Sequence, residues 1–257
     1  MYSDLCLAFS TEGSKKYFKL DPQFPILLHR SGTRPTLDFL QAFLVDYSKC
    51  CLSNPTDRAV AMNGLASRIS YILGCQHRYG VFGDFYFHRT LLWQRPDARK
   101  MSRIDYGNPG VVPSWSWMAY EGNIQFPDIP FECLDLFKDI EFKFGNKGAL
   151  STQAWRFEEG CHLEPEVAFD AATHRRILDS RGQERGWIMY DVEDGQDLRS
   201  ERGVVVARSS PEVEGPGLYY MLVVRQKHFA SRKYGRVGVG RIQYDYISRW
   251  RRGILVV

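Results

Sequence analysis

The 257-residue sequence is 44% hydrophobic and 14% aromatic, and its 34 Lys and Arg against 30 Asp and Glu give a formal net charge of +4. Such a chain can bury a sizeable core, and its aromatic content favours folded order over disorder. The charge balance is too weak to indicate nucleic-acid binding by itself. No apolar run is long enough to cross a bilayer, and the first residues lack a secretory signal, so we expect a cytoplasmic protein without a membrane partner.

Cysteine and histidine spacing predicts no metal site. The six cysteines form no CxxC pair, and Cys50 and Cys51 are adjacent, which is typical of a reduced intracellular protein. The six histidines show no HxxxH or HExxH spacing, and the neighbours Cys161 and His162 lack a second ligand pair. We therefore expect neither a metal nor another cofactor.

The chain begins irregularly and then predicts a first helix. Proline and glycine interrupt residues 1–35, which we expect to be mostly loop with one short strand at 26–28. Thr36 is a suitable N-cap for a helix over 36–48. The expected buried stripe of this helix consists of Leu37, Leu40, Leu44 and Tyr47.

Two more helices are predicted before residue 100. Asn54 can cap the second helix, Pro55 suits its first position, and Gly74 suits its end. Its expected buried stripe consists of Ala61, Leu65, Ile69 and Ile72. A third helix is expected over 84–93, ended by Pro96.

The segment 112–119, Val-Pro-Ser-Trp-Ser-Trp-Met-Ala, predicts the strand at which the chain changes from helix to sheet. Trp115 and Trp117 are two residues apart, so an extended strand would place both indoles on one face. Such a face buries a large apolar area and must lie against the core. Gly122 is expected to supply the turn that ends this strand.

Short apolar runs separated by Gly, Pro, Asp and Ser predict β structure in the rest of the chain. The candidate strands are residues 140–144, 175–178, 186–192, 203–208, 218–225, 234–242 and 253–257. The predicted fold class is α+β, a short helical segment packed on a C-terminal antiparallel β-sandwich or barrel-like domain. We expect residues 1–100 to be the irregular and helical part and 101–257 to be the β-rich domain.

Two local patterns suggest a ligand site but favour a structural interpretation. The acidic run 191–197 fails calcium-loop spacing and predicts a solvated hairpin that turns at 193–195. The glycines of 235–240 are followed by a strand and not by the helix that a dinucleotide loop requires. We expect them to mark close backbone packing or a bulge.

The segment PSWSWMA at 113–119, followed by GNI at 122–124, resembles the PSWSWAS…G-x-I segment of fungal heterokaryon-incompatibility (HET-domain) proteins. Other segments of the chain resemble other segments of the family, and they occur in the same order. They are Tyr47-Ser48, Leu52-Ser53, 55–58, 61–66, 91–93, Gly186-Trp187 with Asp191, 220–222 and 234–240. The resemblance implies that the motif residues Trp115, Trp117, Gly122 and Trp187 form a structural core.

The sequence departs from the family in one respect. The defining HET core carries segments such as Y-x-A-L-S-Y-x-W-G and W-I-D-x-L-C-I-x-Q, and neither is present. The resemblance therefore implies the C-terminal region of a HET-domain protein without the N-terminal HET core, or a paralogue that has lost it. In the family this core is linked to the cell-death output of nonself recognition between fungal strains, and no residue here matches it.

The resemblance implies a non-enzymatic regulatory or recognition module whose protein partner is a HET core or another incompatibility protein. The two helices at 37–48 and 55–73 would form the contact. An enzyme of unrecognised type has no residue constellation behind it, since Ser114 and Ser116 lie outside any G-x-S-x-G elbow.

The alternative hypothesis is a nucleic-acid or anionic-ligand-binding β domain. Between residues 225 and 252 nine Lys and Arg stand against Asp245 alone, interleaved with aromatic residues. The candidate anion contacts are Arg232, Lys233, Arg236 and Arg241. The same pattern arises if strands alternate inward aromatic residues with outward arginines, and this structural interpretation is favoured.

Overall fold

A computed structural model gives the structure of this protein. It describes Leu28 and residues 32–50, 52–83, 86–108, 111–129, 134–136, 143–144, 148–164, 174–192, 195, 197–209, 216–228 and 231–257. Most of the predicted N-terminal loop, the first two residues of the predicted helix 84–93 and the turn residues 193–194 lie outside these residues.

Three helices and fourteen strands make up the described part of the chain. The helices are α1 (Thr33–Ser48), α2 (Arg58–Leu73) and α3 (Phe87–Leu91). The strands are β1 (His77–Arg78), β2 (Val81–Phe82), β3 (Ser102–Arg103), β4 (Tyr120–Glu121), β5 (Leu134–Leu136), β6 (Lys143–Phe144), β7 (Leu150–Phe157), β8 (His162–Leu163), β9 (Arg175–Leu178), β10 (Glu184–Tyr190), β11 (Glu201–Ser209), β12 (Leu218–Gln226), β13 (Lys233–Gln243) and β14 (Ile247–Val256).

Helix α1 begins three residues before the predicted cap. Thr36 is therefore not the N-cap, because its Oγ1 donates from inside the first turn to the carbonyl oxygen of Gly32 at 2.7 Å. The predicted stripe is confirmed, since all four of its members are buried. The expected strand at 26–28 is not supported at Leu28, the residue of it that is described, because Leu28 is helical.

The start and end of the second helix are confirmed. The Asn54 side chain accepts from the Thr56 N–H at 3.2 Å and caps a 3-10 turn, Pro55–Asp57, that leads into α2. Gly74 ends the helix in the left-handed region, at φ +64°. The buried stripe is rotated by one position from the prediction, because Met62, Ala66 and Ile69 are buried, whereas Ala61, Leu65 and Ile72 are half-buried.

Five strands close into a barrel, in the order β12–β11–β7–β14–β13 with β13 pairing again with β12. Strands β10, β9 and β8 extend the sheet outward from β13. The pairings are antiparallel except between β13 and β14, which are parallel over two residue pairs. The predicted α+β class with an antiparallel C-terminal β region is confirmed.

Two predictions in the sheet fail for identifiable reasons. Strand β7 was not predicted, because Ser, Thr, Gln and Arg interrupt its apolar residues and leave no continuous run. The expected hairpin at 193–195 is wrong, because β10 pairs with β9 and β13 on its two edges and cannot pair with β11. Strands β10 and β11, which follow each other closely in sequence, are therefore separated in the sheet.

The glycines of β13 mark both close packing and a bulge, as expected. A Cβ at Gly238 or Gly240 would lie 2.4 Å from a backbone oxygen of β10, so these strands approach more closely than alanine allows. The register of β13 against β12 shifts between Val223 and Val224, which leaves Val237 without a pairing partner in β12. The bulge bends β13 where it passes from β14 to β10.

The predicted tryptophan strand at 112–119 is wrong. Residues 114 and 115 form a turn, and Trp117–Ala119 form a 3-10 helix whose cap is Ser116. The Ser116 Oγ accepts from the Met118 N–H at 3.0 Å, which favours the helical turn over extension. Extended structure begins only at β4, and Gly122 follows it with φ +117°, in the region that favours glycine.

Candidate functional site

The two motif tryptophans point into two different hydrophobic cores. Trp115 packs with the barrel strands and α3, whereas Trp117 packs with α1 and α2. Both are fully buried, and each indole N–H donates to a carbonyl oxygen, that of Gly148 at 2.8 Å and that of Gly80 at 3.0 Å. The predicted burial is confirmed, but the predicted common face is wrong. We call residues 113–122 the joint, because they connect the helices to the barrel.

Arg58 holds the helical side of the joint. Its guanidinium donates to the carbonyl oxygens of Ser48 at 2.7 Å, Gly122 at 3.3 Å and Tyr120, and its Cζ lies 5.3 Å from the centre of the Trp117 ring. Burial lowers the pKa of this guanidinium from its ordinary value. Three separate segments of the chain, at Ser48, at Arg58 and at 120–122, are thus joined through one buried cation, so Arg58 has a packing function.

Arg236 and Asp191 form a buried ion pair on the barrel side of the joint. The side chains are 0% and 1% exposed, and the Nε–Oδ2 distance is 2.9 Å. Arg236 also donates to the Leu91 carbonyl oxygen at 3.0 Å, and its Cζ lies 3.3 Å from the centre of the Trp93 ring. Burial raises the pKa of Asp191, and the charge of Arg236 opposes that rise.

This pair corrects the expectation that the run 191–197 is solvated, because its first acid is in the core. It also places the guanidinium of Arg236 inside the protein, where its donors are used by Asp191 and two carbonyl groups. Sequence reasoning missed the pair because its members are 45 residues apart and each lies in a run of similar charge.

The remaining predicted site residues are not part of the joint. Arg241 lies over the half-buried Trp187, with its Cζ 5.7 Å from the ring centre. Arg232 and Lys233 are exposed at the end of the β12–β13 hairpin. Two further arginines of the barrel lie over tryptophans in the same manner, Arg202 over Trp250 and Arg249 over Trp155.

A cleft of about 450 Å³ lies beside the joint, between α2 and the β1–β2 hairpin. Ala59, Met62 and Ala66 line it from the helix, and Met118 lines it from the joint. At its rim Val60 is 76% exposed, and Tyr71, further along α2, is 84% exposed. These are the most exposed large hydrophobic side chains in the described part of the chain.

A polar trio borders the cleft. The Ser70 Oγ lies 2.9 Å from His77 Nδ1, and His77 Nε2 lies 3.2 Å from Asn63 Oδ1. A hydroxyl beside an imidazole is the geometry of an activated nucleophile. Here, however, Ser70 is 7% exposed and its Oγ also lies 3.0 Å from the Ser67 carbonyl oxygen, one turn back along α2. The trio therefore ties the β1–β2 hairpin to the helix.

Burial lowers the pKa of His77, which favours the neutral ring at neutral pH. Among the described residues no group of three His, Cys, Asp or Glu side chains could hold a metal ion. None of the helices within the described ranges has the length and apolar character needed to span a membrane.

Comparison with known proteins gives no relative. No family model matches the sequence, and neither a curated protein nor a solved structure is significantly similar to it. The resemblance to HET-domain proteins therefore remains a prediction from the sequence motifs.

Proposed function

We propose that this chain is a non-enzymatic regulatory or recognition module, corresponding to the C-terminal part of a fungal heterokaryon-incompatibility protein that acts in nonself recognition and programmed cell death. Its partner in this proposal is a HET core or another incompatibility protein in the cytoplasm. The proposal rests on the motif resemblance, and one structural observation supports it. That observation is the exposed apolar face of α2.

The outer face of α2 has the properties of a protein contact. Positions 60, 64, 67 and 71 lie in one stripe of the helix, because they recur at four- and three-residue steps. Val60 and Tyr71 stand at its two ends, and the small residues Gly64 and Ser67 lie between them, all exposed. Exposed tyrosines are frequent energetic centres of interfaces. The stripe reaches the cleft at Val60, which belongs to both.

Point substitutions test this better than removal of the helices, because α1 and α2 bury residues such as Phe39, Leu40 and Ile69 in the core. We expect Val60→Glu and Tyr71→Glu each to weaken binding of a purified HET core domain by at least about tenfold, because each places a charge in the apolar contact. Isothermal titration calorimetry measures the affinity. Thermal melting should be unchanged, since both side chains are exposed.

Val111→Glu is the matched control, because Val111 is an exposed valine, at 47%, that lies outside α2 in sequence and does not line the cleft. It should leave the affinity within about twofold of the unsubstituted protein. Binding that is equally strong in all three variants would exclude α2 as the contact. No binding by the unsubstituted protein would refute the proposed partner.

The alternative function remains a nucleic-acid or anionic-ligand-binding β domain. The arginines of β11, β13 and β14 that lie over tryptophans weaken it for nucleic acid, because the protein's own guanidinium groups cover ring faces on which bases would stack. Exposed cations at the end of the β12–β13 hairpin support binding of a smaller anion.

A further inference from the structure

Three cationic side chains converge where the β12–β13 hairpin meets the short strand β3. Lys227 and Lys233 face each other across the hairpin, with the Lys227 N–H donating to the Lys233 carbonyl oxygen at 3.0 Å. Arg103 comes from β3, a segment far from the hairpin in sequence. All three are exposed. The fold thus places like charges from two distant segments beside one another.

The Lys227 side chain packs over Gly235. Its Cε lies 3.0 Å from the point that a Cβ of Gly235 would occupy, so the side chain lies directly over this glycine. The Ser114 Oγ lies 3.7 Å from the same point and accepts from the Arg236 N–H at 2.9 Å. Ser114 of the joint therefore lies next to Gly235, over which the Lys227 side chain is placed.

Arg103 is held at the same place by an aromatic ring. Its Cζ lies 6.0 Å from the centre of the buried Tyr120 ring, to which its guanidinium is attracted. The Tyr120 Oη donates to the carbonyl oxygen of Ser114 at 3.0 Å, which fixes the ring beside the residue that lies next to Gly235 and Lys227.

The charges of these three side chains are not paired with carboxylates among the described residues. In the part of the chain that the structure describes, none of the three side chains forms an ion pair. Asp105, two residues after Arg103, accepts from the Gly107 N–H at 2.8 Å, and Glu121 of the paired strand β4 accepts from the Ser102 hydroxyl at 3.0 Å. The pKa of the Lys227 ammonium is lowered by partial burial, then by the charges of Arg103 and Lys233, so Lys227 is repelled by the other two cations in the free protein.

We propose that Lys227, Lys233 and Arg103 form a binding site for a phosphate monoester. Repulsion among three cations is relieved when a doubly charged anion lies between them, and charge-assisted hydrogen bonds from ammonium and guanidinium groups suit phosphate oxygens. Three cations offer few contacts for the extended backbone of a nucleic acid and suit one dianionic group better. The site is independent of the proposed contact on α2.

The test is a titration of the full chain, labelled with ¹⁵N, with inorganic phosphate at pH 7.5 and constant ionic strength. We expect saturable shifts of the amide signals of Lys227 and Gly235, with a Kd on the order of 1 mM. Lys227→Met, Lys233→Met and Arg103→Gln should each weaken binding by roughly tenfold, since each removes one charge-assisted contact. Lys227→Met retains an unbranched side chain over Gly235.

Arg232→Gln is the matched control, because Arg232 is an exposed cation on the same hairpin that does not contribute to the lowered pKa of Lys227. It should change the affinity by less than about twofold. An equal loss in this variant, or equal shifts with sodium chloride alone, would show a general charge effect and overturn the proposal.

Two further ligands distinguish the source of the phosphate group. Tighter binding of adenosine monophosphate than of phosphoserine would indicate a nucleotide, and the reverse would indicate a phosphorylated side chain. Either order supports the site. Stronger binding of a duplex DNA fragment than of all three small ligands, with loss in every cationic variant, would replace it by the nucleic-acid function.

Discussion

At the scale of single residues, the protein depends on two buried arginines that each lie over a tryptophan. Arg58 and Arg236 bring carbonyl groups from distant segments to one point, and Arg236 is in addition the partner of a buried acid. A buried ion pair contributes little relative to an apolar pair of similar shape, but removal of one partner leaves a charge without compensation. The two arginines therefore determine which segments meet.

We expect Arg236→Met to lower the free energy of unfolding by about 3–5 kcal/mol, because the Asp191 carboxylate would remain buried without its partner. Urea denaturation measures the loss. The double variant Arg236→Met with Asp191→Leu should lose less than Arg236→Met alone. Arg176→Met is the control: it breaks an ion pair whose arginine is 50% exposed and should cost less than about 1 kcal/mol. Equal losses for Arg236→Met and Arg176→Met would contradict the importance of burial.

Gly238 shows a second effect at this scale, that of backbone approach. We expect Gly238→Ala to lower the free energy of unfolding by at least about 2 kcal/mol, because its Cβ would lie 2.4 Å from the Met189 carbonyl oxygen. Gly253→Ala is a matched control in β14, where the nearest atom to the new Cβ is 3.7 Å away. It should be neutral or slightly stabilising, since alanine restricts the unfolded chain. Thermal unfolding of both variants decides the point, and similar melting temperatures would disprove it.

At the scale of elements, the turn between β9 and β10 is organised by one carboxylate. Asp179 Oδ1 accepts from the N–H groups of Arg181 at 2.8 Å and Gln183 at 3.0 Å, and Oδ2 accepts from Arg185 Nε at 2.8 Å. The hydrogen bond from Gln183, followed by those from the Arg185 side chain and the Arg181 N–H, lowers the pKa of Asp179 to about 2, against the opposing effect of burial.

This shift predicts a pH dependence. Because the native pKa is below the ordinary value of 3.8, the ionised carboxylate stabilises the folded state above about pH 4, and that stabilisation is lost as the pH falls towards 2. We expect Asp179→Asn to be less stable than the unsubstituted protein at pH 7 and to approach it near pH 2. Urea denaturation across this range measures the difference. Asp128→Asn changes an exposed acid, and its stability relative to the unsubstituted protein should not depend on pH in this way. A stability difference for Asp179→Asn that stays constant from pH 7 to pH 2 would contradict the prediction.

The sequence predicts elements with a continuous apolar pattern well. The strand at 175–178 is confirmed to the residue, and α1 and the pair β12 and β13 lie within two or three residues of their predictions. Elements without that pattern were missed, above all β7, whose polar residues hide its role in closing the barrel. The prediction for segment 112–119 was wrong because two tryptophans at alternate positions are the pattern expected of a strand. The Ser116 side chain instead caps a 3-10 helix, which the tryptophan spacing does not reveal.

At the scale of the whole molecule, the site could be predicted only in part. The motif residues Trp115 and Trp117 are confirmed as core, but their opposite directions depend on two hydrophobic clusters that no local pattern reveals. The meeting of Arg103 with the β12–β13 hairpin, and of Arg236 with Asp191, likewise depends on tertiary contacts between distant segments. Closure of the barrel rests on two residue pairs between β13 and β14, too short a pattern for any periodicity to show.

The opposite directions of Trp115 and Trp117 give the joint a mechanical property. Met118 lines the cleft, its neighbour Trp117 is anchored among the helices, and Trp115 is anchored on the sheet. Three positions separate the cleft from the barrel, and both indoles are tethered through their N–H groups. Only Ser116 and Trp117 lie between Met118 and Trp115 in the chain. We therefore expect a displacement of Met118 to be transmitted to the barrel through the two hydrogen-bonded indoles.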